Sequence, residues 1–189
     1  MSLQLIAELT QWTLLILVTY VMISGKANLR PLNSHQLPQQ DSGIPRGAAF
    51  PRAKLTTITG DIVDISGPKL EPTIVFFTAS DCPACKNLYP IIEIVRKKHA
   101  SEFNFVSIIV SNEQTLSDYV RIHNINIPVT HVTSDDIEEF KTKIFPFAYL
   151  LSPSGQVLAK GGIIGEEHFN LLLGQGKATM QVQRKKVVS

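Results

Sequence analysis

The stretch from Thr73 to Lys98 reads TIVFFTASDCPACKNLYPIIEIVRKK, and it holds both cysteines of the chain, Cys82 and Cys85. Thr73 to Thr78 is a nearly unbroken apolar run, which predicts a central strand buried on both faces. Lys86 to Lys98 places Leu88, Ile91, Ile92 and Val95 at helical spacing, so a helix follows. A CxxC pair between a buried strand and a helix points to redox chemistry. The thiolate is the nucleophile of disulfide exchange, and a helix N-terminus favours negative charge through its free N–H groups and aligned dipoles. Pro83 suits the first helical position, where a missing N–H costs nothing. Three residues bring Cys85 back to the same end of the helix, so the two sulfurs can meet. Cys82 is then the attacking thiol and Cys85 the resolving one, with Pro83 and Ala84 between them tuning the pair. Pro90, inside the helix, predicts a kink.

Other readings of the cysteines are weaker. Two inert structural thiols would not be expected to fall as CxxC at a strand–helix junction. Half a zinc site lacks its other half, since no second CxxC or close Cys/His pair completes four ligands. His99, His123 and His131 stand singly, so no metal is expected. The net charge of +2 is too small to imply a nucleic-acid partner, and no aromatic-studded basic groove is visible. A hydrophobic share of 44% supports a real core.

Four regions follow from patterning. Residues 1–25 contain the most apolar window, Leu3 to Ile23, densest in WTLLILVTYVMI from Trp12. About 20 residues at roughly 1.5 Å each would cross a hydrocarbon core of about 30 Å, so a single transmembrane helix contacting membrane lipid is expected. A cleaved signal peptide is the rival, with Gly25-Lys26-Ala27 as small residues for cleavage, but no Lys or Arg precedes the apolar run. Lys26 and Arg30 follow the span and would place what comes after it in the cytoplasm, while an anchored CxxC domain has more obvious work outside, where disulfides persist. Residues 26–48, rich in Pro, Asn, Ser, Gln and Gly, read as a linker. Residues 49–176 form the folded domain, opened by LTTITGDIVDI (Leu55 to Ile65), a β-hairpin turning at Gly60-Asp61. Phe103 to Val110 gives a second buried strand and a right-handed βαβ crossover. A helix from Asn112 to Ile122 with Ser111 or Asn112 as its cap, a short strand at Val129 to Val132 and a helix from Ser134 to Lys143 capped by Ser134 come next. Strands at Phe147 to Leu151 and Gln156 to Lys160 and a closing helix from Glu166 to Leu173 complete it. Residues 177–189, with Arg184-Lys185-Lys186, read as a short basic tail.

Three segments carry a resemblance. FFTASDCPACKNLYP, KIFPFAYLLSPSGQVLAKGG and Glu167-His168 resemble the thioredoxin superfamily and, within it, the membrane-anchored MauD family of methylamine-utilisation accessory proteins. The resemblance implies an α/β thioredoxin fold with an N-terminal hairpin extension. It implies thiol–disulfide exchange outside the cytoplasm, on a disulfide-containing protein substrate and with a redox partner protein, in maturing methylamine dehydrogenase or a similar disulfide-rich protein. No cofactor beyond the redox-active Cys82–Cys85 disulfide is implied. Phe145–Pro146 corresponds to the superfamily's cis-proline segment, where the backbone of Phe145 pairs with an extended substrate. Two positions depart from thioredoxin: Asp81 stands where it has Trp, and Phe76 stands where it has a buried Asp. No proton acceptor for Cys85 is therefore identifiable.

Competing functions are a reductant serving cytochrome maturation, a peroxidase and a copper-delivery module. Peroxiredoxins need Thr or Ser three residues before the reactive Cys, where this chain has Ala79. Copper chaperones of this fold use CxxxC and a distal His. The leading proline of Pro83-Ala84 is shared with oxidants, and an Ala84 N–H facing Cys82 would favour the thiolate. A reduction potential on the order of −200 mV is expected, between thioredoxin and DsbA.

Overall fold

The computed structural model describes residues 8, 10–20, 37–67 and 70–188, and the chain divides into two compact units, Met1–Ser34 and His35–Ser189. In the first unit, residues 10–20 are helical, with Trp12, Ile16 and Tyr20 exposed. Thr19 returns its hydroxyl to the Leu15 carbonyl at 2.7 Å, so an apolar helix carries no unspent side-chain donor there. Among the described residues no helix is long and apolar enough to cross a membrane. Eleven residues rise only about 16 Å, and most of the rest of the expected span, Leu3 to Ile23, lies outside the described residues.

The second unit is a thioredoxin-like α/β domain. A hairpin of β1 (Lys54–Thr56) and β2 (Ile62–Asp64) pairs antiparallel, with Gly60 at φ +87° in its turn. The five-stranded sheet has the order β5-β4-β3-β6-β7, from β3 (Thr73–Ala79), β4 (Asn104–Val110), β5 (Val129–Val132), β6 (Phe147–Leu151) and β7 (Val157–Gly162). β3, β4 and β5 run parallel, and β6 and β7 are antiparallel to their neighbours. All seven residues of β3 are buried, as its apolar run requires.

Helices α1 (Pro83–His99) and α3 (Glu166–Val188) pack on one face of the sheet, where Ile74, Phe76, Leu88, Ile92, Phe169 and Leu172 form the core. Helix α2 (Glu113–Ile122) starts one residue after the expected Asn112, which is its cap and whose Oδ1 accepts the Gln114 N–H at 3.0 Å. α1 runs continuously through Pro90. The opposite face is aromatic: Phe50, Phe77, Phe140, Phe147 and Tyr149 meet at ring separations of 4.8–6.4 Å.

Several boundaries need correction. The expected linker 26–48 is anchored on the domain from residue 37 onward, with some of its side chains buried and others exposed. Leu37 and Ile44 are each 3% exposed, and Phe50 joins the aromatic face. This strap runs along the β7 edge: the Gly162 N–H donates to the Pro38 carbonyl at 2.8 Å, and Gly47 N–H and Val157 N–H bond across to Val157 and Ala48 carbonyls. An open sheet edge is thereby covered. Two glycines make the approach possible. A Cβ on Gly161 would meet Leu37 Cβ at 2.6 Å, and Gly43, at φ +82°, lies against the Tyr149 hydroxyl.

The basic tail expected at 177–189 instead continues α3 to Val188. Gly174 and Gly176 look like helix terminators, but Gly176 is there for closeness, because a Cβ would run into Leu150 of β6. The helix expected over Ser134 to Lys143 shrinks to a 3-10 turn, Asp136–Phe140. Asp136 takes the bonds of Thr133 N–H and Oγ1 at 3.1 and 2.9 Å, so Ser134 is no cap, and Lys141 at φ +52° ends the turn.

Candidate active site

Cys82 is the N-cap of α1, in extended conformation at φ −91°, ψ 109°. Its sulfur accepts the N–H of Cys85 at 3.2 Å, doing with sulfur what Ser or Asp does with oxygen at a cap. The donor at that sulfur is therefore Cys85 rather than the expected Ala84. The chain reaches this point by a tight turn, with the Cys82 N–H on the Ala79 carbonyl at 3.2 Å. Cys82 and Cys85 are disulfide-bonded, with Cα atoms 5.3 Å apart. Their environments differ. Cys82 is partly exposed between exposed Asp81 and Pro83, while Cys85 is fully buried. An attacking nucleophile needs the first environment. A resolving sulfur, which reacts only within the molecule, tolerates the second.

The Phe145–Pro146 peptide is cis. β6 opens at Phe147, which pairs with Phe77 of β3, so Pro146 lies one step beyond, at the end of β3 that leads into Cys82. The structure thus brings both predicted segments, Cys82 to Cys85 and Phe145–Pro146, to one end of the sheet. Pro146 is buried and Phe145 partly exposed.

A third element joins them that sequence reasoning missed. The Ile163 N–H donates to the Pro146 carbonyl at 3.2 Å, and the next residue, Ile164, is 66% exposed. His168 Nδ1 accepts the Ile164 N–H at 3.2 Å and fixes this loop at the start of α3. The Glu167-His168 likeness was the available signal, but nothing in it told that the imidazole turns back onto the loop.

Between β3 and the buried stripe of α1 that carries Cys85 and Tyr89 lies a set of buried hydroxyls, also missed. Thr78 Oγ1 and Tyr89 Oη share a hydrogen bond of 2.7 Å. Burial pushes the Tyr89 phenol well above the usual tyrosine range, against a smaller lowering by Thr78, with Tyr119 and Ser107 also in its surroundings. Burial raises Tyr119 as well, with the Tyr89 hydroxyl opposing and the charge of Asp81 adding a smaller push. Ser107 Oγ and Tyr119 Oη have no hydrogen-bond partner among the described residues. Among those residues no group of three or more His, Cys, Asp or Glu side chains is placed to hold a metal ion.

No protein-family profile matches the chain. Individual relatives do. The methylamine utilization protein MauD of Methylorubrum extorquens is 30% identical over 141 residues, 73% of this chain and 67% of that protein. MauD of Paracoccus versutus is 26% identical over 182 residues, 94% of this chain and 91% of its own length. The sporulation thiol-disulfide oxidoreductase A of Bacillus subtilis is 26% identical over 149 residues, 75% of this chain and 86% of that one. In fold, the thioredoxin domain of a thiol-disulfide oxidoreductase from Bacteroides vulgatus superposes with a TM-score of 0.60 at 18% identity, over 69% of this chain and 97% of that domain. A reactive cysteine pair at the head of α1 and this degree of likeness lead to one assignment: the chain belongs to the MauD family and is a thioredoxin-like thiol–disulfide oxidoreductase.

Proposed function

We propose that the protein is a membrane-anchored oxidoreductase that exchanges disulfides with an extracytoplasmic partner protein, in maturing methylamine dehydrogenase or a similarly disulfide-rich protein. The observation that carries this reading is the asymmetry of the pair, with Cys82 accessible and capping α1 and Cys85 fully buried. The apolar stretch Leu3 to Ile23 serves as the anchor and contacts lipid, and the catalytic domain lies outside the cytoplasm.

In the oxidising direction a substrate thiolate attacks Cys82 Sγ, and the electron pair of the Cys82–Cys85 bond leaves on Cys85 Sγ. A second substrate thiolate then attacks the substrate sulfur of this mixed disulfide. It forms the substrate disulfide and leaves Cys82 as the thiolate, which the α1 N-terminus stabilises. A separate redox partner protein returns the pair to the disulfide. The backbone of Phe145 binds the substrate segment in extended form, and Pro146 presents no N–H that could compete. Pro83 and Ala84 set the potential, on the order of −200 mV.

Cys85→Ser should accumulate mixed disulfides with the partner, and Cys82→Ser should not. Equal trapping by both variants defeats the assigned roles. A potential at or below that of thioredoxin, measured in glutathione buffers, turns the protein into a reductant, as cytochrome maturation would require. Retention of the full chain on membranes through carbonate washing supports the anchor. Recovery as a soluble form starting near Asn28 shows a cleaved signal instead.

A further inference from the structure

Whichever way electrons flow, the exchange places a thiolate on Cys85 Sγ, either as leaving group or as attacking group. That sulfur is fully buried, and burial disfavours its charge. Thioredoxin's buried carboxylate has no counterpart, since Phe76 fills the position with no exposure at all. Some other group must meet the thiolate.

Two buried hydroxyls stand on the face toward which Cys85 is buried. Thr78 lies on the same sheet face as Ile74 and Phe76, the face covered by α1. Tyr89 follows Cys85 by four residues and shares its buried stripe on α1. A long side chain on a helix leans toward the helix N-terminus, over the turn before its own Cα. For Tyr89 that turn is the one bearing Cys85. The 2.7 Å bond from Tyr89 Oη to Thr78 Oγ1 therefore closes between the end of β3 and the underside of the reactive turn. Two hydroxyls sharing one bond use one hydrogen and keep the other free to donate.

We infer that the Thr78–Tyr89 hydroxyl pair donates its spare hydrogen bond to Cys85 Sγ when the Cys82–Cys85 bond is open, stabilising the buried thiolate in place of a carboxylate-linked proton acceptor. No proton is transferred in this step: the electron pair of the broken S–S bond rests on Cys85 Sγ, and the hydroxyls stay neutral. The desolvated Tyr89 phenol, held far above its usual range, is a donor throughout the working pH range. The other titratable groups about this point are Asp81 and Lys86 on the flanking chain, both exposed, and Tyr119 and His123 of the α2 end, whose rings pack near Tyr89. The inference rests on the proposed redox role of the pair, but its test does not need the substrate.

The probe is the full chain carrying Cys82→Ser, in which Cys85 is the sole thiol, titrated by the NMR shift of the Cys85 β-carbon. Adding Tyr89→Phe or Thr78→Val should lower the thiolate fraction at a given pH about tenfold. Thr78→Ser, which keeps the hydroxyl, should restore the native curve. Tyr149→Phe, a buried tyrosine on the opposite face, should leave it unmoved. If Tyr89→Phe does not fold, the Thr78→Val and Thr78→Ser pair decides alone. An unchanged Cys85 titration in a folded Thr78→Val protein overturns the inference, because a bond that only satisfies two buried hydroxyls would alter stability and nothing else. Failure of the proposed function itself would show differently, as a pair that titrates as described but traps no partner.

Discussion

Three buried tyrosines sit on the two sides of one sheet, and their hydroxyls are treated differently. On the strap side, Tyr149 Oη donates to the Phe140 carbonyl at 2.6 Å and accepts the Ile44 N–H at 3.0 Å. Both partners are backbone, so the hydroxyl ties the strap and the 3-10 turn to β6 in one fixed geometry. On the helix side, Tyr89 shares its hydrogen bond with the rotatable hydroxyl of Thr78, with the Ser107 and Tyr119 hydroxyls in its surroundings, and Tyr119 Oη has no hydrogen-bond partner among the described residues. Unpaired hydroxyls alone do not mark the difference, because Thr73 and Thr130 also have no partner among the described residues. The difference is in what the partners can do. Backbone partners lock a structure, whereas side-chain hydroxyls can reorient when a nearby sulfur changes charge.

The comparison breaks first at the aromatic face. Phe140 is fully buried against Phe50 and Phe77 at 5.4 and 4.8 Å. Phe140→Ala should cost about 3–5 kcal/mol in denaturant unfolding. The reduction potential of the cysteine pair should not move. A shifted potential would mean the two sides are mechanically coupled through β3.

Deleting hydroxyls then sharpens it. Tyr149→Phe leaves the Ile44 N–H and the Phe140 carbonyl without their partner, and should cost about 1–3 kcal/mol. It also has a pH signature. Burial pushes the Tyr149 phenol up from 10.0 to about 12, with the Ile44 bond opposing in part. The unfolded chain therefore loses this proton first as pH rises. The stability contribution is complete below pH 10.0 and is lost progressively as pH rises through about 12. Tyr149→Phe should flatten that alkaline loss, measured as unfolding midpoint against pH. Tyr89→Phe, which loses one side-chain bond, should cost less, about 0.5–1.5 kcal/mol, while moving the Cys85 titration that Tyr149→Phe leaves alone.

Much of this arrangement was legible in the chain, and what was not has physical reasons. The run TIVFFT specified β3, the CxxC specified the reactive end, and Pro146 could be placed beside it by likeness. The start of α2 was legible to within one residue, Ser111 or Asn112, because the cap is made by a side chain on its own turn, a local event, and Asn112 is the one that makes it. The strap was illegible for the opposite reason. Pro38, Gln39, Gln40 and Gly43 spell turn and loop, and they are turns, but Leu37 and Ile44 are buried by β7 and β6 residues more than a hundred positions away. Composition reports local conformation and is silent on distant partners. The continuation of α3 runs through Gly174 and Gly176, and glycine serves helix ends and close approaches alike; only the neighbour Leu150 shows which applies at Gly176. Tyr89 was within reach: four residues after Cys85 is one helical turn, and a phenol there faces the same core. Thr78 was hidden inside a strand that reads as uniformly apolar.

The smallest expected effect is the most discriminating. Tyr119 is nearly buried, and burial raises its phenol, against a smaller lowering by the Tyr89 hydroxyl and with a further push from the Asp81 charge. Its ring packs on Tyr89 edge to face at 6.1 Å and on His123 at 4.4 Å, and Phe can keep both contacts. Only the hydroxyl is lost, and that hydroxyl has no partner among the described residues. A buried polar atom without a hydrogen bond costs folding energy, and its removal returns that energy. Tyr119→Phe should therefore leave stability unchanged or raise it by up to about 1 kcal/mol, whereas the identical atom deletion at Tyr149 is destabilising. A loss of more than about 1 kcal/mol at Tyr119 would show its hydroxyl to be engaged as firmly as that of Tyr149. The helix side would then be as locked as the strap side, and the reorientable hydroxyls beneath Cys85 would have to be given up.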